Sequence, residues 1–226
     1  MTGPSFCKAC TVRHARALIW AVILAAPPAL AADDNIEAGL TVERSHLKTR
    51  SGTELRTSRL KIFLVEQLQP GLALSLHGGP VLLTPARNPD TAGMELSGFH
   101  VGVGAQAEWF RQQPFGLSAA FDYTYQQTDD KQADRQTKIS LHTAQAELAA
   151  LARLPPARLQ LGIYALHLDG DETISGPVHH SRSLKAKRSL GGFLQTDLQV
   201  DWSGRISLRL EGGAQQAVGL TFARYF

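Results

Sequence analysis

Charged and hydrogen-bonding residues recur in this chain at intervals of two, and that spacing limits the chemistry they can share. Glu43, His77, His100, Glu108, Asp122, Glu147, Asp197, Arg209 and Glu211 all stand in segments where polar and apolar residues alternate. On strands, such positions project from one face of a sheet. Brought together, they could transfer protons or hold a polar substrate. They could equally be mutually paired charges filling a narrow interior, and the cost of a buried unpaired ion favours that second reading. His179, His180 and Ser181 have the residue types of a nucleophile and base, or of a weak metal site. Adjacent residues on one loop are seldom preorganised, so a solvated loop is expected there. Arg182, Lys185, Lys187 and Arg188 form a basic cluster suited to phosphate groups or to an ordinary solvated rim.

The elements that would position these residues follow one grammar, an alternating segment, a short turn, an alternating segment and a longer polar stretch. The clearest segment sets Phe99, Val101, Val103, Ala105, Ala107 and Trp109 against His100, Gly102, Gly104, Gln106 and Glu108. The next sets Leu117, Ala119, Phe121, Tyr123 and Tyr125 against Ser118, Ala120, Asp122, Thr124 and Gln126. Further strands are predicted at about 35–48, 56–68 and 72–77, then around 137–153, 159–165, 184–202 and 206–211, and last at the C-terminus. Within 137–153 the apolar parity changes between Ile139/Leu141 and Ala144/Ala146/Leu148, which predicts a bulge near His142 or Thr143. Over 184–202, Leu190, Leu194, Leu198, Val200 and Trp202 are expected outward, with Gln195, Asp197, Gln199 and Asp201 inward. Longer polar loops are expected at about 85–96, 129–135 and 169–183. Short turns carry Pro70-Gly71, Pro114, Pro155-Pro156 and Ser203-Gly204.

The two ends of the chain say what such a set of strands is for. Lys8, Arg13 and Arg16 precede the apolar run 17–26, and Ala29-Leu30-Ala31 follows it. This three-part pattern predicts a cleavable signal peptide over 1–32. Three of the 23 Lys and Arg residues and both cysteines, Cys7 and Cys10, lie in that leader. The remainder, 33–226, is formally neutral and free of thiols. That removes the case for nucleic-acid binding and excludes disulfides and thiolate metal sites.

At the other end, Val218, Leu220, Phe222 and Phe226 alternate with Gly219, Thr221 and Ala223, and Phe226 is terminal. This strand resembles the C-terminal signature of bacterial outer-membrane β-barrel proteins. It departs at Arg224, with Tyr225 supplying an aromatic one place away. The resemblance implies that the last strand closes the barrel, with Phe222, Tyr225 and Phe226 as the signal read by the barrel assembly machinery.

Alternating short turns and long loops agree with a membrane barrel whose termini are periplasmic. Trp109, Phe115 and Trp202 near the short turns, and Phe99 and Tyr125 near the loops, suit aromatic girdles. The expected fold is an all-β, closed, antiparallel up-and-down transmembrane barrel of ten strands, with eight as the alternative. The expected role is that of a monomeric cell-envelope protein of a Gram-negative outer membrane. That role is structural or surface-interacting, without catalysis, metal or cofactor, and its partners are outer-membrane lipids and lipopolysaccharide, with Arg182, Lys185, Lys187 and Arg188 as candidate contacts to the lipopolysaccharide phosphates. A lipid-modifying enzyme and a narrow channel remain the rival readings.

Overall fold

The computed structural model describes residues 36–86, 94–132, 135–176 and 179–226; the leader expected over 1–32 lies outside the described residues. Eleven strands follow one another: β1 (Ile36–Lys48), β2 (Glu54–Gln69), β3 (Leu72–Ala86), β4 (Leu96–Trp109), β5 (Phe115–Gln132), β6 (Arg135–Leu154), β7 (Ala157–Ser175), β8 (His180–Lys185), β9 (Leu190–Gln199), β10 (Gly204–Gly212) and β11 (Gln215–Tyr225). No helix occurs among the described residues. Ten strands close a ring in the order β1 to β7, then β9, β10 and β11, which returns to β1. Closure runs from Glu37 opposite Tyr225 to Leu47 opposite Gln215. The ten-strand ring itself has no open edge, which lipid would not tolerate.

The segment 184–202 is two elements rather than one strand. β8 pairs with the upper part of β7 (Asp169–Ile174), and β9 pairs with its lower part (Ala157–Ala165). At 19 residues β7 is taller than β9, at 10, so two short strands share one edge. β8 lies outside the ten-strand ladder, and its end reaches β1. Thr49 bridges Ala186, Arg50 N donates to Lys185 O at 2.9 Å, and Lys187 N donates to Lys48 O at 2.9 Å.

The predicted facing holds on the strands that cross the membrane. Leu161 and Ile163 are each 65% exposed on the outside, and Leu64, Leu76, Val103, Leu148, Leu198 and Leu208 share that face. The inward positions hold Glu37, Thr41, His77, Ser118, Thr124 and Asp197, all buried. Trp109, Phe115 and Trp202 ring the short-turn end, exposed to the outside. Phe99 and Tyr125 lie outward nearer the other end, with ring centroids 6.3 Å apart.

The bulge expected in β6 is absent. Its pairing with β5 and β7 continues through His142 and Thr143 without a register shift. The two faces exchange character there instead. Below that level Ala144, Ala146 and Leu148 face out; above it Ile139 and Leu141 face in and are buried. The polar segments expected as loops are largely strand for the same reason. β5, β6 and β7 are 18, 20 and 19 residues long, whereas roughly 9–11 suffice to cross a bilayer. Their excess length stands outside the membrane with polar side chains outward. Of the expected loops, 87–93, 133–134 and 177–178 lie outside the described residues.

Candidate functional site

The inward polar side chains sort into three tiers along the lumen. Nearest the short turns, Glu108 pairs with Arg153 and, at 3.1 Å, with Arg158. Asp197 lies 3.5 Å from Arg205 and accepts from Gln160 and Gln195 at 3.1 and 2.8 Å; Arg205 also pairs with Glu37. These groups line a vestibule of about 540 Å³ that Tyr225 also borders. Every carboxylate named here has a cationic partner, as a low-dielectric interior requires.

Arg209 on β10 makes the middle tier. Its guanidinium bonds both oxygens of Glu147 on β6, at 2.7 and 3.1 Å. Its Nε donates to Glu211 at 2.6 Å, and its Cζ lies over the Phe193 ring, 3.9 Å from the centroid. β6 and β10 are separated in the ring by β7 and β9, so this bidentate pair ties non-adjacent strands across the lumen.

The upper tier carries the residue types nearest to chemistry. Gly102 and Gly104 on β4 allow side chains of β3 and β5 to meet across that strand. A Cβ at Gly102 would lie 2.3 Å from His77 Nε2, and one at Gly104 would lie 2.5 Å from Ser75 Oγ. Over this gap His77 Nε2 approaches Thr124 Oγ1 at 3.2 Å, and His77 Nδ1 lies 3.5 Å from Asp122. The Thr124 hydroxyl donates to Asp122 at 2.9 Å, so its proton is directed at the carboxylate and not at the imidazole. A hydroxyl activated by His77 would donate to the imidazole instead.

The His100 ring stands 6.1 Å from that of His77. It is 2% exposed, and neither of its nitrogens has a hydrogen-bond partner among the described residues. The amide of Gln126, opposite it in the ladder, is likewise unpartnered. These groups have unused capacity for a small polar solute or water. With Glu43, Arg59 and Lys61 the tier surrounds a cavity of about 320 Å³, and Arg59 lies 3.6 Å from Glu43.

Above this cavity the interior turns apolar. Leu47, Leu55, Leu83, Leu96, Leu141 and Leu184, with further buried side chains, form one cluster drawn from strands all around the barrel.

All nine lumen candidates therefore face inward, grouped as His77/His100/Asp122 with Glu43, as Glu147/Arg209/Glu211, and as Glu108/Asp197. Sequence spacing did not reveal Arg59, Lys61, Arg153, Arg158 and Arg205, the cations that balance them. Arg59 and Lys61 alternate with Leu60, Ile62 and Leu64, so strand parity alone contained the signal. Asp201, expected inward, is exposed in the β9–β10 turn. It accepts from the backbone N–H groups of Ser203 and Gly204, which hold its carboxyl below the usual carboxylate range.

His179, His180 and Ser181 are exposed. Lys185, Lys187 and Arg188 are exposed at the loop end, whereas Arg182 turns to Thr53, its Nη1 donating to the hydroxyl at 3.3 Å. In the terminal strand Phe222 and Phe226 face out and Tyr225 faces in, and Phe226 N donates to Ile36 O at 2.8 Å. No group of three or more His, Cys, Asp or Glu among the described residues is placed to hold a metal ion.

No protein-family model matches the chain, and no curated protein matches it. Solved structures do. The translocator domain of the autotransporter NalP from Neisseria meningitidis superposes with a TM-score of 0.50 at 12% identity, covering 96% of this chain and 98% of that one. The transport unit of the autotransporter AIDA-I from Escherichia coli gives 0.49 at 13% identity, covering 94% and 97%. The outer membrane protease OmpT from Escherichia coli gives 0.46 at 9% identity, covering 88% and 99%. The ring of ten strands, its apolar exterior and the first of these likenesses together give this chain the fold of the bacterial outer-membrane β-barrels.

Proposed function

We propose that this protein is an integral outer-membrane barrel whose lumen is closed, and that it acts through the surface it presents outside the membrane. One observation carries the reading. The loop-end interior is filled by an apolar cluster, directly above a lumen whose charges are cross-paired. Such an interior suits an anchor that holds a rigid extramembrane surface better than a path for solutes. The upper tier supports a non-catalytic role, because the Thr124 proton is directed at Asp122 and away from the His77 imidazole. Phe226, at the end of the closing strand, fits delivery by the barrel assembly machinery, and the outer-membrane lipids are the immediate partners.

The test is electrical. Purified, folded protein reconstituted in planar bilayers should give no discrete conductance steps, and overproduction in cells should leave the mass of lipid A unchanged. Stepwise conductance would establish the narrow channel instead. A lipid A mass shift abolished by His77→Ala would establish an enzyme.

A further inference from the structure

The basic residues at the loop end are not spread evenly around the barrel. On the β1–β2 side the outward, exposed positions are Arg44, Lys48 and Arg56, and Lys187 and Arg188 follow β8 next to them. On the β5–β7 side the corresponding outward positions mix Lys131 and Lys138 with Asp129, Asp169 and Asp171. The basic side also has a notch. β10 and β11 are only 9 and 11 residues long, and their hairpin at Gly213 ends beside Leu47 and Lys48, the last residues of β1. The end of β8 crosses above that hairpin to reach β1. Between them lies a recess of about 190 Å³ bordered by His46, Lys48, Lys187, Arg188 and the hairpin residues Gly213–Gln216.

Among the described residues, no carboxylate lines the recess. The buried Glu54 braces it from beside, 3.1 Å from His46 and 3.6 Å from Lys48, leaving Lys187 and Arg188 free of ion pairing with it. On its inner side Tyr164 closes the wall, its hydroxyl lying 3.3 Å from Gly212 O and 3.2 Å from Gln215 O. Lys48, Lys187, Arg188 and Gln216 are exposed on its outer side, whereas Gln215 also borders the lumen cavity and donates its amide to Glu211 at 2.6 Å.

Its height matters as much as its charge. Val42, opposite Leu220, belongs to the lipid-facing belt. Arg44 and His46 follow it on the same face, one and two pleat repeats of about 7 Å further up the strand. Leu190, 70% exposed, lies just below Lys187 and Arg188 in the chain. Cations immediately beyond an apolar belt stand where lipid phosphates stand.

We propose that this recess is a binding site for the phosphate of an outer-leaflet lipid, held by Lys48, Lys187 and Arg188 with the acyl chains lying along Val42, Leu190 and Leu220. The proposal rests on the membrane placement argued above and adds a specific lipid site to it. Of the basic cluster legible in the sequence, Lys187 and Arg188 belong to the site and Arg182 does not.

The test titrates full-length folded protein in neutral-detergent micelles with phosphorylated lipid A and, separately, with the same lipid stripped of its phosphates, reading retained lipid by native mass spectrometry. The triple variant Lys48→Gln/Lys187→Gln/Arg188→Gln should bind phosphorylated lipid A at least tenfold more weakly, while Lys131→Gln/Lys138→Gln binds as the parent does. The single variants Lys187→Gln and Arg188→Gln should fall between, and they keep the test open should the triple variant fold poorly. Equal binding by the triple variant and the parent would overturn the site. Equal retention of the dephosphorylated lipid would overturn the phosphate contact. Full displacement by millimolar inorganic phosphate would assign the recess to a soluble anion. Failure of the parent to show a heat-modifiable folded band on a denaturing gel would instead count against the barrel reading itself.

Discussion

The same strands build two different kinds of barrel, one above the other. Toward the short turns the outside is Leu161, Ile163, Leu148 and Leu208 and the inside is Glu147, Arg209, Asp197 and Arg205. Toward the loops the outside is Arg56, Lys138, His167, Asp169 and Asp171, and the inside is Leu55, Leu83, Ile139, Leu166 and Leu184. No register slip separates them, since β6 is paired continuously through the change. The solvent changes instead. In lipid, burying Leu in the lumen gains nothing, because the hydrocarbon is already apolar. In water the hydrophobic effect returns and draws the leucines inward. One ladder therefore serves both media by exchanging its faces.

The contrast is tested most strongly by truncation. Leu141→Ala, in the upper core, should cost about 2–5 kcal/mol, as a cavity in a water-surrounded core does. Leu148→Ala, seven residues further along β6 and facing lipid, should cost much less because lipid fills the space. Equilibrium urea unfolding in phospholipid vesicles checks both, and equal losses would break the comparison. Charge insertion comes next. Val103→Arg should cost about 2–4 kcal/mol at its lipid-facing position, while Ser140→Arg, outward but above the belt, should stay within about 0.5 kcal/mol. Gln106→Arg, in the lumen, should be milder than Val103→Arg.

How much of this the sequence discloses depends on the medium. The membrane strands were legible because Phe99 to Trp109 and Leu117 to Tyr125 alternate with apolar residues outward. The ring of ten, the facing of all nine lumen candidates and the closing strand follow from that parity. The upper barrel was not legible. Asp169, Asp171 and Thr173 read as loop because they are polar, yet they alternate with the buried Gly170, Glu172 and Ile174. The parity change at His142 looked like a bulge because a single solvent was assumed along the strand. Nor could spacing reveal that Gly102 and Gly104 bring His77 to Asp122 and Thr124, since that contact spans three strands.

Smaller effects sharpen the picture of the lower half. Arg209→Ala should cost about 1–3 kcal/mol, between an exposed pair and a buried pair broken on one side, because the lumen side chains are partly exposed. Arg209→Lys should recover only part of it, since Lys cannot make the bidentate contact with Glu147. The smallest effect concerns the β9–β10 turn. Asp201 has its folded pKa depressed by the Ser203 and Gly204 N–H groups. Its contribution is therefore present above about pH 4, the unfolded value, and is lost as pH falls through the lower folded value. Asp201→Ala should lower stability slightly at neutral pH and not at low pH, which flattens the acid limb of a stability-against-pH curve.

The central claim, that the barrel exchanges its faces at the level of His142, is most directly tested by spin labels along β6. Both cysteines lie within the expected leader, at Cys7 and Cys10, so single labels can be placed on chain 33–226 without competing thiols. Labels at 144, 146 and 148 in vesicles should collide with oxygen dissolved in lipid. Those at 138 and 140 should collide with a water-soluble nickel relaxant, and those at 139 and 141 with neither. Lipid exposure continuing from 148 through 138, or aqueous access at 139 and 141, would contradict the account.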